Sequence, residues 1–180
     1  MSVLTLRPNA DGHKGLDTST GTDHYALIDE ETLSETDYVK SGNLSALYDD
    51  YGFPNHSSES GTINSLTIKV YCKKVIKGTD TNTVSIRPLV TIGGTKYYGD
   101  AQNPATSTTL YSKAWTVNPA TSSAWSWTNI DDLIAGLEID ADYIDKNNYI
   151  TIYCYQLWVE VDYGASGVVI PVRMFHYMNH

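Results

Sequence analysis

The stretch WTVNPATSSAWSWTNIDDLIAGLEI, residues 115–139, decides the fold predicted for this chain. It starts with a strand pattern, turns at an Asn-Pro pair and continues into a short amphipathic segment. Thr128 is a suitable N-cap, Asp131 lies in the first turn, where the helix dipole favours acidic side chains, and Gly136 suits the end of a helix. The stretch therefore predicts one short helix at about residues 128–136. Such a short helix must pack against other structure, because it is not stable alone.

The rest of the central region alternates apolar and polar residues as half-buried strands do. Residues 62–76 carry their apolar side chains on one parity, and Gly93-Gly94 separates two strand patterns as in a two-residue hairpin. The alternation in residues 149–163 changes phase near Gln156, which predicts a β-bulge. Regularly spaced short strands with almost no helix predict an all-β protein built as an antiparallel sandwich.

Composition divides the chain into three parts. Residues 1–61 are polar and irregular, and we expect them to form an N-terminal arm or extended region with short strands. We expect residues 62–163 to form the sandwich core. Residues 164–180 should form a C-terminal arm behind a Gly/Ser hinge. The C-terminal arm is too apolar to remain in water. We expect it to add to a sheet edge of a neighbouring subunit, the alternative being a last strand in its own sheet. Its candidate interface residues are Val168, Ile170, Val172, Met174, Phe175 and Tyr177.

The charge balance excludes one class of partner. The chain has 180 residues and a formal net charge of −9, and its densest basic cluster is Lys73-Lys74 with Lys77. Nucleic-acid binders need a basic face to neutralise phosphates, so we expect no nucleic-acid partner. Neither a membrane-spanning apolar run nor a signal-peptide pattern is present, so we expect synthesis in a cytoplasm, no export by the usual route and no membrane partner.

The reactive residue types form no pattern that is typical of a catalytic, cofactor or metal site. The five histidines are scattered, and His176 and His180, although four residues apart, follow a proline and end the chain. We interpret the acidic runs at residues 29–31 and 49–50 as solvated surface. We therefore expect a non-enzymatic protein without catalytic residues, cofactor or metal.

Two cysteines lie far apart in the chain, each inside a strand pattern. Cys72 and Cys154 lack the spacing of a zinc site. They are either two buried free thiols, which behave as small apolar groups, or a disulfide between strands or sheets. The sequence leaves both alternatives open.

Aromatic residues provide the candidate binding surface. The chain has 14 Tyr and 4 Trp, residue types that suit half-exposed sheet faces and protein–protein surfaces. Trp158 shares a strand parity with Glu160 rather than with Leu157, so we expect it at the surface; Tyr97 and Tyr98 are further candidates. Exposed aromatic side chains of this kind could also form a carbohydrate platform, whereas Trp125 and Trp127 are interpreted as packing beside the helix.

The pattern NPATxxAW(S/T)WxxIDxLxAGLEI, followed by Q(L/V)(W/Y)VEVDY, resembles small virion proteins of tailed bacteriophages, over roughly residues 62–163. The resemblance implies a jelly-roll β-sandwich and a location in the virion. It also implies a structural role in a homo-oligomer, exerted through contacts with other virion proteins, capsid or tail subunits. For this role we favour head decoration or a head fibre, with a tail or neck component as an alternative. The alternative function is a carbohydrate-binding module or receptor-binding tip, with a host glycan as partner.

Overall fold

A computed structural model describes residues 2–42, 47–79, 83–145 and 147–164. In this part of the chain almost all regular structure is β-strand. The strands are β1 (Ser2–Leu6), β2 (Ala10–Lys14), β3 (Asp17–Thr18), β4 (Val39–Lys40), β5 (Leu47–Gly52), β6 (Thr62–Lys77), β7 (Ser85–Ile92), β8 (Thr95–Tyr98), β9 (Thr109–Trp115), β10 (Ile134–Asp140), β11 (Asp142–Asp145) and β12 (Asn148–Gly164). The helices are a 3-10 turn at Tyr25–Leu27 and the α-helix α1 at Trp127–Asp131.

The strands form two antiparallel sheets that pack face to face as a jelly-roll-like sandwich, which confirms the predicted fold class. The larger sheet has the order β3-β4-β12-β6-β9, and β1 and β11 also pair with β12. The smaller sheet has the order β2-β5-β10-β7-β8. The hairpin predicted at Gly93-Gly94 joins β7 to β8, and both glycines have the positive φ that its tight turn requires.

The long β6–β12 pair forms the centre of the larger sheet. Its inward side chains are fully buried and meet those of β7 and β10 from the smaller sheet, as alternation along a half-buried strand requires. These core side chains are Leu66, Ile68, Val70, Leu157, Val159, Val161, Ile86, Val90, Leu137 and Ile139. The bulge predicted in β12 is confirmed by a register shift between Cys154 and Gln156.

The helix is shorter than predicted. It spans Trp127–Asp131, and its N-cap is Ser126, which forms a reciprocal capping box with Asn129. Residues 134–136, expected in the last helical turn, belong to β10 instead. Pairing with β5 and β7 satisfies the β10 backbone on both sides, and a Cβ at Gly136 would lie 2.0 Å from the Asp49 carbonyl oxygen. Ladder hydrogen bonds to remote strands therefore override the local helical pattern.

The N-terminal residues take part in both sheets. β1 pairs with β12, and β5 lies between β2 and β10. The domain boundary at residue 61 stays a prediction. The C-terminal arm and its interface residues Val168, Ile170, Val172, Met174, Phe175 and Tyr177 lie outside the described residues.

The interpretation of residues 49–50 as solvated surface is wrong. Asp49 is 0% exposed and accepts hydrogen bonds from the N–H groups of Gly15 and Leu16 at 2.7 and 2.9 Å. Its other carboxylate oxygen accepts from the Tyr51 hydroxyl at 3.0 Å and lies 2.6 Å from His24 Nδ1. A buried carboxylate with this many partners is fully satisfied and fixes the segment after β2 against β5.

No helix in the described ranges has the length and apolar character needed to cross a bilayer.

Candidate functional site

The outward face of the larger sheet carries a row of aromatic side chains. Tyr71 extends from β6, Tyr153, Tyr155 and Trp158 extend from β12, and Tyr38 precedes β4. We call these five residues the aromatic strip.

The β12 bulge creates the aromatic strip. Before the bulge Tyr153 points outward, because Ile152 and Cys154 are in the core, and Tyr155 is the extra, unpaired residue of the bulge. A residue of opposite parity, Trp158, points outward after it. The extra residue at the register shift changes the parity, so all three rings share one face. Without a bulge Trp158 would point into the core.

The rings of the aromatic strip contact one another in two groups. The Tyr71 and Trp158 centroids are 5.8 Å apart with a 33° tilt, and Tyr153 and Tyr155 lie nearly parallel at 6.1 Å. Tyr38 meets Tyr153 and Tyr155 edge-on at 4.9 and 6.0 Å. Tyr155 is only 2% exposed, whereas the other four are half-buried. Tyr155 therefore supports its neighbours, and the other four rings reach solvent.

Charged groups border Trp158. Its indole Nε1 donates to Glu160 Oε1 at 3.0 Å, and Lys69 Nζ forms an ion pair with the same oxygen at 2.8 Å. The Arg7 guanidinium and Lys69 Nζ lie 5.8 and 5.9 Å from the indole centroid. Burial alone would raise the pKa of Glu160, but the hydrogen bonds from Lys69 and Trp158 outweigh it and hold the pKa below its ordinary value. Glu160 is thus a fixed anion that orients the indole.

A second ion pair borders the tyrosines. Lys73 Nζ lies 2.6 Å from Glu35 Oε2 and 5.0 Å from the centroid of the Tyr155 ring. Thr108 Oγ1 donates to the other Glu35 oxygen at 2.6 Å. The hydrogen bond from Lys73 lowers the pKa of Glu35, and the same bond raises the pKa of Lys73. Both groups are therefore charged at neutral pH and give the strip polar edges.

The aromatic strip ends in a cavity. Beyond Tyr153 the larger sheet surrounds a space of about 330 Å³, which we call the Tyr153 cavity. Its lining residues are Asp17, Lys40, Ser41, Val75, Ile76, Lys77, Tyr149, Thr151 and Tyr153. Tyr153 belongs to both the strip and the cavity, so the two form one continuous surface.

A smaller cavity of about 160 Å³ lies at the end of the sandwich beside the helix. Trp125, Leu133, Asn118 and Asn129 contribute to its lining. Trp125 is buried and donates through Nε1 to the Trp115 carbonyl at 3.0 Å, which agrees with its interpretation as packing beside the helix. Trp127 is half-buried and donates to the Gly61 carbonyl at 3.0 Å.

The predicted surface aromatics divide between the two sheets. Trp158 lies on the larger sheet, in the aromatic strip, where it is half-buried. Tyr97 and Tyr98 lie on β8 of the smaller sheet; Tyr97 packs against the core, and Tyr98 is 36% exposed with the Arg87 guanidinium 4.5 Å from its ring centroid. The structure thus separates them from Trp158. The predicted group of candidate surface aromatics therefore does not form one site.

Sequence reasoning missed three tyrosines of the strip, Tyr38, Tyr153 and Tyr155. The parity of Tyr71 and Lys69 was visible in the alternation of β6. The position of Tyr153 relative to Trp158 could not be predicted from the alternation, because it depends on where the bulge changes the parity and on the register with β6.

The aromatic strip can bind a ligand through ring faces and polar edges. Among the residues that the structure describes, no three or more His, Cys, Asp or Glu side chains cluster at metal-binding distance. Both carboxylates at the strip, Glu35 and Glu160, are held by lysines. The chemistry on offer is stacking on apolar ring faces and hydrogen bonding at their edges.

No known protein family matches this chain, and no curated protein does. Solved carbohydrate-binding modules resemble the structure. A CBM4 module is 14% identical, with 89% of this chain and 94% of that chain covered and a TM-score of 0.43. The CBM22-1 xylan-binding domain of Paenibacillus barcinonensis Xyn10C is 10% identical, with 90% and 95% covered and a TM-score of 0.46. A family 29 carbohydrate-binding module is 13% identical, with 98% and 100% covered and a TM-score of 0.40. Likeness at this level does not identify a function, which must be argued from the chain's own surface.

Proposed function

We propose that this chain is a non-catalytic glycan-binding protein and that the aromatic strip is its binding surface. The observation that carries the proposal is the row of four half-exposed rings, Tyr38, Tyr71, Tyr153 and Trp158, on one sheet face with charged groups along its edges. Four partly exposed aromatic rings gathered on one sheet face are typical of a surface that binds a partner.

A sugar chain matches the chemistry of this surface. A pyranose ring has faces of C–H groups, which are attracted to the negative face of an aromatic ring, and a rim of hydroxyls. Tyrosine hydroxyls and the Lys69–Glu160 and Lys73–Glu35 pairs offer hydrogen bonds to that rim. The rings are already held by contacts with one another and by Tyr155, so binding costs little side-chain ordering.

The test is a glycan array probed with the whole chain, followed by calorimetry on the glycans retained. Trp158→Ala and Tyr71→Ala should each weaken binding about tenfold or more, because truncated aromatic anchors cost on the order of 1.4 kcal/mol or more. Tyr98→Ala is the matched control, an exposed aromatic on the other sheet, and should leave affinity unchanged. A chain that retains no glycan, or one whose binding is insensitive to both strip variants, would overturn the proposal.

We also propose a location for this activity, the tailed-phage virion, in a head-associated rather than a tail or neck position. One support is the sequence resemblance over residues 62–163. A second is that Arg7, Trp158 and Tyr71 lie together, since arginine, tryptophan and tyrosine are the residue types that most often anchor protein–protein interfaces. Electron microscopy of the particles, with the protein labelled, tests this location. Label absent from the particles, or confined to tail or neck, would contradict it.

A further inference from the structure

We infer that the Tyr153 cavity is a subsite for the carboxylate of an acidic sugar residue, an inference that rests on the proposed glycan binding at the aromatic strip. The two lysines of the strip are each paired with a carboxylate, so neither offers an unpaired ammonium group to an acidic sugar. The cavity differs from it in charge.

Register places two ammonium groups around the Tyr153 cavity. Lys40 on β4 is directly opposite Tyr153, and Lys77 on β6 is directly opposite Tyr149. Between them the outward residues Val75 and Thr151, which are also opposite each other, form the floor. A group that enters the cavity from the strip therefore passes over Tyr153 and reaches the space between the two lysines.

These two lysines differ from those of the strip. Within the described ranges neither Lys40 nor Lys77 forms an ion pair with a carboxylate, and Lys77 Nζ lies 5.2 Å from the centroid of the Tyr149 ring. The chain as a whole has 21 acidic and 12 basic residues. The two lysines and Asp17 give the cavity lining a net positive charge, opposite in sign to the net charge of the whole chain. This local positive charge favours entry of an anion.

The third charged group, Asp17, indicates what kind of anion fits. Asp17 is opposite Lys40 in the β3–β4 pair and lines the same cavity. Its carboxylate accepts hydrogen bonds from hydroxyl groups and repels a second negative charge. Two ammonium groups with one carboxylate suit a monoanion that also carries hydroxyls, as a uronic acid does, better than a doubly charged phosphate.

The cavity volume is consistent with one sugar residue rather than a bare ion. About 330 Å³ lies at the lower end of the range of roughly 300–1,000 Å³ in which small-molecule sites occur. Because Tyr153 is shared with the strip, a sugar ring can contact Tyr153 while the carboxylate on its C5 points between the lysines. The neighbouring sugars of the same chain would then lie along Tyr71 and Trp158.

The experiment compares two probes of equal length, a glucan oligosaccharide and the matching glucuronan oligosaccharide, by calorimetry with the whole chain. The glucuronan should bind about tenfold tighter, the usual worth of one added hydrogen bond to a charged group. Lys40→Met and Lys77→Met should each reduce that preference several-fold, because each weakens glucuronan binding more than glucan binding. Lys96→Met is the control, because Lys96 is a cation on the other sheet, with its Nζ 4.0 Å from the centroid of the Tyr48 ring. This variant should change neither the glucuronan preference nor the glucan affinity.

The outcomes separate this inference from the function it rests on. If both oligosaccharides bind equally, or if the glucuronan preference persists in both lysine variants, the carboxylate subsite is wrong while glycan binding stands. If glucuronan alone binds but Trp158→Ala has no effect, the cavity acts without the strip and the proposed function fails. Inorganic phosphate that competes as well as free glucuronate would also overturn the inference, because it would show selection for charge alone. Unchanged melting temperatures verify that the variants are folded.

Discussion

Cys72 and Cys154 lie directly opposite each other across the β6–β12 pair, and both side chains are buried in the core. They are free thiols in the structure. Burial raises the pKa of the Cys72 thiol well above its ordinary value, and the neighbouring Cys154 raises it further. Of the two alternatives that the sequence leaves open, the structure presents the reduced pair.

The reduced pair leads to a prediction about reactivity. Since the thiolate is the reactive form and both thiols are buried, a soluble thiol reagent should not modify the native protein at neutral pH. The same reagent should modify both cysteines after denaturation. Mass spectrometry of the intact chain checks this, and a native mass lower by two hydrogens would show a disulfide instead.

The contact of Leu133 with the core gives a prediction about stability. Leu133 follows the helix and is 4% exposed. Leu133→Ala should lower the free energy of unfolding by about 2–5 kcal/mol, the range for buried leucines that leave a cavity. Val117→Ala is the control, because Val117 is 42% exposed and its truncation should change little. Denaturant unfolding of both variants measures the difference, and equal midpoints would contradict the packing of Leu133.

Local patterns explain what the sequence predicted correctly. The alternation of β6 and the two glycines of the β7–β8 hairpin act within a few residues, so they are visible in a single chain. The phase change at Gln156 located the bulge for the same reason. The side chain of Trp158 was placed on the correct face from its own strand alone.

Remote partners explain what the sequence could not predict. Residues 134–136 have a helical pattern, and only pairing with β5 and β7 makes them a strand. Asp49 resembles a surface carboxylate until the segment after β2 donates two backbone N–H groups to it. Likewise, the assembly of Tyr38 with Tyr153 depends on β4 pairing with β12, more than a hundred residues apart in sequence. Each of these features is decided by contacts between distant segments.

The buried carboxylate of Asp49 gives a second stability prediction. Asp49→Ala would leave the N–H groups of Gly15 and Leu16 and the side chain of His24 without their acceptor. Losing one member of a buried charged network typically costs about 3–5 kcal/mol, so the variant should be strongly destabilised. Asp132→Ala, an exposed carboxylate at the end of the helix, is the control. If thermal unfolding of the two variants were indistinguishable, the network around Asp49 would have no stabilising role.

The ion pair of Glu160 with Lys69 predicts how stability depends on pH. The pKa of Glu160 is lower in the folded protein than its ordinary value of 4.5, so the folded state holds the ionised form more tightly than the unfolded state does. The stabilisation is therefore fully present above pH 4.5 and is lost as the pH falls through the lowered folded value. Glu35 has a lowered pKa as well and contributes in the same direction.

Lys69→Met isolates this contribution. Without the ammonium group the pKa of Glu160 should return toward its ordinary value, so the variant should lose less stability than the wild type between neutral and acidic pH. Lys113→Met is the matched control, since Lys113 on β9 pairs with the highly exposed Asp100 and not with Glu160. Denaturant unfolding across the acidic range measures the free energy of unfolding of both variants. If Lys69→Met lost as much stability between neutral and acidic pH as the wild type does, the role of the Glu160 pair would be contradicted. Because Glu160 also fixes the Trp158 indole through Nε1, glycan affinity should weaken in the same acidic range in which that stability is lost.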